Sequence, residues 1–187
     1  MIKIENIYKS FEENIVLNDI SLEFEPGKCN LIIGSSGSGK TVLMKVIVGL
    51  MEVDQGDIYY DNIPFNNLAR KEKQSMRSKM GMLFQGGALF DSLNVEENIM
   101  FPLNMFTNDS IEDKRNRVRF CLDRVGLENV TSLMPAELSG GMKKRVAIAR
   151  AISISPNYLF ADEPNSGLDP KTAIKIDALI KEITEEY

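Results

Sequence analysis

One short segment, Gly34-x-x-x-x-Gly39-Lys40-Thr41, constrains this chain more than any other feature of its sequence. A short apolar run at residues 29–33 precedes it and predicts a buried strand. Residues 42–50, which follow it, are apolar enough to predict a mostly buried helix. A strand, a glycine-rich loop and a helix in this order are the setting in which such a segment forms a phosphate-binding loop, or P-loop.

The residue types of this loop suit the capture of an anion. Gly34, Gly37 and Gly39 allow backbone conformations that turn successive N–H groups inward, and the helix N-terminus adds a partial positive charge. Lys40 would reach the β- and γ-phosphates, and Thr41 would offer its hydroxyl to Mg²⁺. The plainer alternative is a glycine-rich turn that only leads into a helix. The predicted nucleotide-binding residues of the loop are Gly34, Ser35, Ser36, Gly37, Ser38, Gly39, Lys40 and Thr41.

A second polar feature, the pair Asp162-Glu163, directly follows the apolar residues 158–161. In P-loop enzymes an aspartate at the end of such a strand holds Mg²⁺. The next residue, Glu163, would then act as the general base that polarises the attacking water. An acidic turn after a buried strand is the alternative interpretation of the same pair.

The remaining pattern predicts an α/β protein. Strand-loop-helix units at both ends of the chain favour a parallel sheet with helices on both sides. A helix is predicted over residues 110–125, with a capping box formed by Ser110 and Asp113. Another is predicted just after Gly140-Gly141, with Val146, Ala149 and Ile152 facing a core. The last helix is predicted from Asp169 onward, where Asp169 is the N-cap and Pro170 takes the first position. Residues 86–145 are mostly helical and have the character of an insertion.

Composition excludes several classes of function. The chain has 27 acidic and 22 basic residues, a net charge of −5, so we expect no non-specific nucleic-acid binding. Two cysteines and no histidine leave no thiolate or imidazole metal site. No apolar run approaches the roughly 18 residues of a membrane-spanning helix, so any work at a membrane is expected to need a partner.

The segment Leu138-Ser139-Gly140-Gly141-Met142 completes an ordered set of motifs. Ser139 can cap a helix, and the two glycines let backbone N–H groups approach an anion closely. With these motifs the sequence resembles the ATP-binding-cassette (ABC) ATPases over essentially its whole length. The signature of that family usually ends in glutamine, where this chain has Met142.

The resemblance implies a P-loop NTPase (RecA-like) core with a small antiparallel β subdomain and an inserted α-helical subdomain. It implies one domain over residues 1–187 that is incomplete at its C-terminus. Within it, residues 1–85 and 146–187 form the nucleotide-binding core with the β subdomain, and residues 86–145 form the helical signature subdomain. The family's switch histidine would fall beyond Tyr187, so we expect this chain to bind ATP but to hydrolyse it poorly.

The resemblance also implies roles for single residues. Phe11 looks like the aromatic that stacks on adenine, and Gln85 matches the glutamine that touches Mg²⁺ and senses a membrane partner. Residues 166–169 look like the loop that crosses the dimer. Ser139, Gly140 and Gly141 would contact the γ-phosphate of ATP on a second copy, in a head-to-tail dimer with two ATPs. The predicted catalytic residues are Glu163, Lys40 and Gln85, and the predicted Mg²⁺ ligands are Thr41, Gln85 and Asp162.

Three of these assignments have a plainer alternative. Phe11 could be an ordinary core or strand residue, and Gln85 could simply end a strand. The basic residues 143–145 are predicted to form a solvated helix face, with phosphate binding as the alternative.

Two features bear on transport. The apolar residues between Phe90 and Phe101 could line a groove for a cytoplasmic helix of a permease, or could pack inside the helical subdomain.

Residues 85–92 and Met142 resemble the ATPases of Mce-type phospholipid transporters. That resemblance implies a permease and an Mce-type substrate-binding protein as partners, and a peripheral location on the cytoplasmic face of the inner membrane. An importer of amino acids or other small solutes is the alternative. A soluble ABC ATPase acting on DNA or ribosomes is less favoured, since this chain has neither a long coiled-coil insertion nor a second cassette.

Overall fold

The computed structural model describes residues 1–186, so Tyr187, predicted to lie in the last helix, is outside the described residues. The chain divides into two compact units, Met1–Arg77 and Ser78–Tyr187, and each is described by itself. In the described part, no helix is both long and apolar enough to cross a membrane. The predicted subdomain boundaries at residues 85/86 and 145/146 remain predictions.

The first unit contains an antiparallel sheet whose strands run in the order β2-β1-β3-β4. The strands are β1 (Ile2–Phe11), β2 (Asn14–Phe24), β3 (Gln55–Tyr60) and β4 (Ile63–Pro64). β1 and β2 form a hairpin in which Phe11 lies opposite Asn14. Ile2, Ile4 and Ile7 of β1 are all buried.

Helix α1 (Lys40–Ile47) follows the glycine-rich loop, and α2 (Arg70–Arg77) closes the unit. The buried side chains of α1 are Leu43, Met44, Val46 and Ile47. The Tyr60 hydroxyl donates a hydrogen bond of 2.9 Å to the carbonyl of Ile47, which connects β3 to the end of α1. The apolar helix predicted after the loop is therefore present, and it ends at Ile47.

The buried strand predicted at residues 29–33 is absent from the structure. This segment has no regular secondary structure, and Leu31 and Ile33 are 77% and 85% exposed. A strand needs a neighbour to pair its backbone groups, and among residues 1–186 this segment belongs to neither sheet. Apolar composition predicts the preference for a strand, but it cannot supply the neighbouring strand.

The second unit combines helices with a short parallel strand pair. Its elements are β5 (Met80–Leu83), α3 (Val95–Phe106), α4 (Ile111–Arg124), α5 (Gly140–Ile152), β6 (Tyr158–Ala161) and α6 (Pro170–Glu186). β5 and β6 pair in parallel, with Met80 opposite Tyr158 and Leu83 opposite Ala161. The predicted parallel sheet is thus represented by these two strands in the described residues. Helix α5 lies in the core, where Val146, Ala149 and Ile152 are buried as predicted.

The helix starts follow from capping residues in the sequence. Ser139 caps α5, and the carboxylate of Asp169 accepts hydrogen bonds from the first-turn N–H groups of α6. Ser110 caps α4 by accepting from the N–H of Asp113. The Asp113 carboxylate accepts a hydrogen bond of 2.6 Å from the Ser110 hydroxyl. In a full capping box it would accept from the Ser110 N–H instead, so only half of the predicted box is formed.

Candidate nucleotide site

The glycine-rich loop has a backbone that requires glycine. Gly37 and Gly39 have φ angles of 77° and 90°, in the left-handed region, and Gly39 forms the N-cap of α1. A Cβ atom on Gly34 would lie 2.6 Å from Oγ of Ser38, so the Ser38 hydroxyl would have to turn away to admit it. The N–H of Ser38 donates to the Ser35 carbonyl, which closes the turn. The predicted loop is therefore formed in the first unit.

Lys40 places its charge on this loop. Its Nζ donates hydrogen bonds of 2.9 Å to the carbonyl of Gly34 and 2.8 Å to that of Ser35. The side chain thus folds back over the loop that carries it, and Thr41 lies next to it in the first turn of α1. A loop of this geometry with an ammonium beside it offers main-chain donors and positive charge to an anion.

Phe11 lies on the surface at the end of β1. Its ring is 43% exposed, and Nζ of Lys9 lies 5.8 Å from the ring centroid. The next residue, Glu12, has a φ of 53° and starts the tight turn into β2. Phe11 is thus a strand residue, as one alternative has it, but it is not a core residue, and its exposed ring can offer a face to a base.

The structure brings Gln85 and Glu163 together in the second unit. Nε2 of Gln85 donates a hydrogen bond of 2.8 Å to Oε2 of Glu163. Asp162 is tied to β5, since its N–H donates to the Leu83 carbonyl at 2.9 Å. Glu163 itself is exposed and has a φ of 46°, a conformation that non-glycine residues rarely adopt. The acidic pair therefore begins a strained turn directly after β6.

The basic residues 143–145 are not the solvated helix face that the sequence predicts. Lys144 is only 3% exposed, and its Nζ donates to the main-chain carbonyl of Glu163 at 3.4 Å. Nη1 of Arg145 donates to the Val125 carbonyl at 2.9 Å. Burial lowers the pKa of the Lys144 ammonium, while the charges of Glu163 and Asp162 act in the opposite direction.

Sequence reasoning missed Lys144 although a signal was present. Residues 144, 147, 148 and 151 follow the 3.6-residue helical period and are all buried. Three of these positions hold Ala147, Ile148 and Ala151, so Lys144 is the one charged residue on a core-facing stripe. The predicted core face of α5, formed by Val146, Ala149 and Ile152, did not include this position, because α5 is buried on more than one side.

The signature segment forms the start of α5. Oγ of Ser139 accepts a hydrogen bond of 3.3 Å from the N–H of Met142, and the helix then begins at Gly140. Ser139 and Gly140 are both exposed. A Cβ atom on Gly141 would lie 3.0 Å from Cγ2 of Thr172 on α6, so this helix start packs closely against its neighbour.

The segment after Gln85 is held by a second residue that the sequence did not reveal. Gly86, Gly87 and Ala88 all have φ between 45° and 84°. The guanidinium of Arg150, 8% exposed, donates to the carbonyls of Gly87 at 2.7 Å and Ala88 at 2.9 Å. Arg150 therefore fixes the path of the chain directly after Gln85.

The apolar residues between Phe90 and Phe101 divide between core and surface. Val95, Ile99 and Met100 are buried in the helical core, as the packing alternative requires. Phe90 and Phe101 are 41% and 37% exposed, and their ring centroids lie 4.6 Å apart. Both rings line a surface groove of about 220 Å³, together with Met82, Phe84, Pro102, Phe106 and Arg150.

A buried asparagine holds the groove's Phe90. Asn98 is fully buried in α3; its Oδ1 accepts from the N–H of Phe90 at 2.9 Å. Its Nδ2 donates to the carbonyls of Phe90, Leu93 and Asn94. The position of Phe90 is therefore set by a fully bonded side chain in the core.

The predicted Mg²⁺ ligands have suitable chemistry. Asp162, Thr41 and Gln85 offer carboxylate, hydroxyl and amide oxygens, the hard donors that Mg²⁺ prefers. Among residues 1–186, no group of three or more histidine, cysteine or acidic residues could hold a metal by itself. Mg²⁺ in nucleotide sites commonly uses one or two carboxylates and completes its coordination with water and substrate phosphates.

A P-loop, an acidic pair directly after strand β6 and a serine-capped double glycine define the nucleotide-binding cassette of an ABC ATPase. The family model described as ABC transporter matches residues 17–166, and the chain belongs to this family. The cassette is an ATP-binding and ATP-hydrolysing unit.

Curated relatives and a solved structure agree with this assignment. The chain is 38% identical to the intermembrane phospholipid transport system ATP-binding protein MlaF of Haemophilus influenzae, covering 99% of this chain and 70% of that protein. It is 41% identical to the methionine import ATP-binding protein MetN of Clostridium tetani, covering 100% and 58%. The ATP-binding cassette MJ0796, solved as a dimer bound to ADP and Pi, is 36% identical to this chain and has a TM-score of 0.90. The match covers 100% of this chain and 84% of the MJ0796 chain. The expected α/β P-loop NTPase fold is thereby confirmed.

Proposed function

We propose that this chain is the ATP-binding and ATP-hydrolysing subunit of a membrane transporter. The proposal rests on the 2.8 Å hydrogen bond between Gln85 and Glu163, the residue that follows Asp162 in the chain. Glu163 is exposed and oriented by a neutral donor, which leaves its carboxylate free to accept a proton. The P-loop at residues 34–41 supplies the phosphate site in the same chain.

In the proposed reaction, the oxygen of a water molecule bonds to the γ-phosphorus of ATP. The bond between that phosphorus and the β–γ bridging oxygen breaks, and ADP and inorganic phosphate result. Glu163 accepts a proton from the water, and the Lys40 ammonium balances negative charge on the phosphates. Thr41, Gln85 and Asp162 would hold Mg²⁺, and the bound ion would neutralise charge on the phosphate oxygens.

The proposed working unit is a head-to-tail dimer of two copies. Ser139 and Gly140 are exposed at the start of α5, where N–H groups and the helix N-terminus can meet an anion. In the dimer this segment of one copy contacts the γ-phosphate of ATP on the P-loop of the other, and Phe11 stacks on adenine. The similar cassette MJ0796 was solved as a dimer, which supports the same arrangement here.

The proposed membrane partner is a permease. The groove lined by Phe90 and Phe101 is apolar, open to the surface and of a size that suits side chains of an amphipathic helix. Docking of a cytoplasmic permease helix there would place it beside the Arg150-held segment that follows Gln85. The chain would then act peripherally on the cytoplasmic face of the inner membrane.

For the cargo we propose phospholipid, moved together with an Mce-type substrate-binding protein. Residues 85–92 and Met142 support this choice, and so does similarity over 99% of the chain to a phospholipid transport protein. Amino-acid import is the second candidate, since the chain is 41% identical to a methionine import protein. The chain spans only 58% of that protein, so activity and cargo of the whole protein are proposals.

The hydrolysis proposal is tested with Glu163→Gln in the complete natural protein. We expect the variant to bind ATP normally, to lose turnover and to accumulate as a dimer with ATP. Glu128→Gln, at another exposed position of the second unit, serves as the matched control and should keep the parent rate. If Glu163→Gln still hydrolyses ATP at the parent rate, Glu163 is not the base.

The cargo proposal is tested by purification of the complete protein in detergent from its native membranes. Mass spectrometry would identify the copurifying proteins and lipids. A permease with a membrane-anchored Mce-type protein and bound phospholipid would support lipid transport. A permease with a soluble solute receptor and no lipid would move the assignment to solute import.

A further inference from the structure

Lys144 is a charged residue in a place where charge is costly. A lysine is almost never fully buried unless its ammonium has a partner. Here the side chain is 3% exposed, on the core-facing stripe of α5 with Ala147, Ile148 and Ala151. Its Nζ lies 3.4 Å from the main-chain oxygen of Glu163, and its ammonium interacts electrostatically with the carboxylates of Glu163 and Asp162.

The atom that Lys144 contacts belongs to a strained peptide. Glu163 has a φ of 46°, a left-handed conformation that is unfavourable for a residue with a side chain. Its carbonyl oxygen accepts a second hydrogen bond of 3.0 Å, from the N–H of Ser166. The two donors lie on different elements, one on α5 and one in the turn after β6, so together they set the direction of the Glu163 carbonyl.

From this geometry we propose that Lys144 is a positioning residue for ATP hydrolysis. It holds the Glu163 main chain in its left-handed conformation, so that the carboxylate lies where Gln85 bonds it. The inference rests on the proposed role of Glu163 as base. It also connects the helix that begins at the signature residue Ser139 to the catalytic glutamate of the same copy.

Stability separates this role from a merely structural one. Lys144→Met removes a desolvated charge, and the Glu163 carbonyl keeps its hydrogen bond from the Ser166 N–H. No buried acceptor is then left unpaired, so we expect little change in stability. If Lys144 only supports the fold, Lys144→Met should lower stability and turnover together, or lower neither. A positioning lysine would lose rate without loss of stability.

The experiment uses the complete natural protein with Lys144→Met, Lys144→Gln and Lys144→Arg. Lys175→Met, at an exposed position on α6, is the matched control. For each variant the thermal midpoint, the KM for ATP and kcat are measured. We expect Lys144→Met to keep its midpoint and a KM within twofold of the parent, while kcat falls about tenfold to a hundredfold. Lys144→Arg should recover most of the rate, and Lys175→Met should match the parent.

Two results would overturn the inference. One is a kcat for Lys144→Met within twofold of the parent; the other is a fall in kcat that only parallels a fall in thermal midpoint. Should Lys144→Met fail to fold, Lys144→Gln decides by the same criteria, since it keeps a donor but not the charge. Loss of turnover in Glu163→Gln beside a fully active Lys144→Met would reject this inference alone. Normal turnover in Glu163→Gln would reject the base assignment instead.

Discussion

Gln85 and Glu163 are 78 positions apart in the chain, yet Nε2 of the first donates a hydrogen bond of 2.8 Å to Oε2 of the second. Strand register explains the contact. β5 and β6 pair in parallel, Leu83 lies opposite Ala161, and both strands end there. The residues that follow parallel strands emerge at the same sheet edge, so the two side chains meet.

We predict that Gln85→Ala lowers kcat about tenfold, because the Glu163 carboxylate loses the donor that orients it. The thermal midpoint should change little, since Gln85 is exposed and surface substitutions stay within about 0.5 kcal/mol. Steady-state phosphate release measures the rate. Gln74→Ala, at an exposed position of α2, is the control. An unchanged kcat in Gln85→Ala would show that the hydrogen bond has no part in turnover.

Arg150→Leu should destabilise the protein by about 3 kcal/mol, since the carbonyls of Gly87 and Ala88 lose a charged donor. Urea unfolding at constant pH measures the free energy of unfolding. Arg150→Lys keeps the charge but not the planar fork, so it should recover less than half of the loss. A loss below about 1 kcal/mol in Arg150→Leu would mean that these bonds contribute little.

Local chemistry made several parts of this structure predictable from sequence. Ser139 and Asp169 cap the helices that they were expected to start, because a cap needs only a hydroxyl or carboxylate near the first N–H groups. The loop at residues 34–41 depends on glycine conformations and on Lys40, and all of these lie within one segment. Motif order also placed the acidic pair directly after β6.

The parts that failed depend on distant partners. Residues 29–33 have the composition of a strand but pair with no strand in the described residues. The charge of Lys144 predicts a solvated position, but the residue lies on a buried stripe of α5 with Ala147, Ile148 and Ala151. Its partner, the Glu163 carbonyl, lies 19 positions away. Arg150 donates hydrogen bonds to main-chain carbonyls 62 and 63 positions away, and no local sequence pattern predicts these contacts.

A comparison of two glycines tests the packing of the first unit. Gly56 has a φ of 96°, and a Cβ there would lie 2.3 Å from the Asn6 carbonyl oxygen. Gly27 has a φ of 68°, but a Cβ there would have no heavy atom within 4 Å beyond its chain neighbours. Gly56→Ala should therefore cost about 3 kcal/mol or more, and Gly27→Ala about 1 kcal/mol. Thermal or urea unfolding of both variants measures the difference, and equal losses would contradict the predicted clash.

The two cysteines should differ in reactivity. Cys29 is exposed, whereas Cys121 is fully buried in the helical core. Burial raises the pKa of the Cys121 thiol to about 11, so at pH 8 it is protonated and out of reach of reagents. A thiol-specific reagent should therefore modify one cysteine in the native protein and two in urea. Rapid modification of both in the native state would contradict the burial of Cys121.

The same thiol predicts how stability changes with pH. The folded protein keeps the Cys121 proton up to about pH 11, whereas the unfolded chain releases it near the ordinary thiol value of 9.0. The folded state then binds more protons, so the free energy of unfolding falls as pH rises from about 9 to 11, by at most about 3 kcal/mol. Urea unfolding of the parent and of Cys121→Val across this range measures the effect. Other groups titrate equally in both proteins, so the parent should show the steeper fall, and parallel curves would show that Cys121 does not contribute.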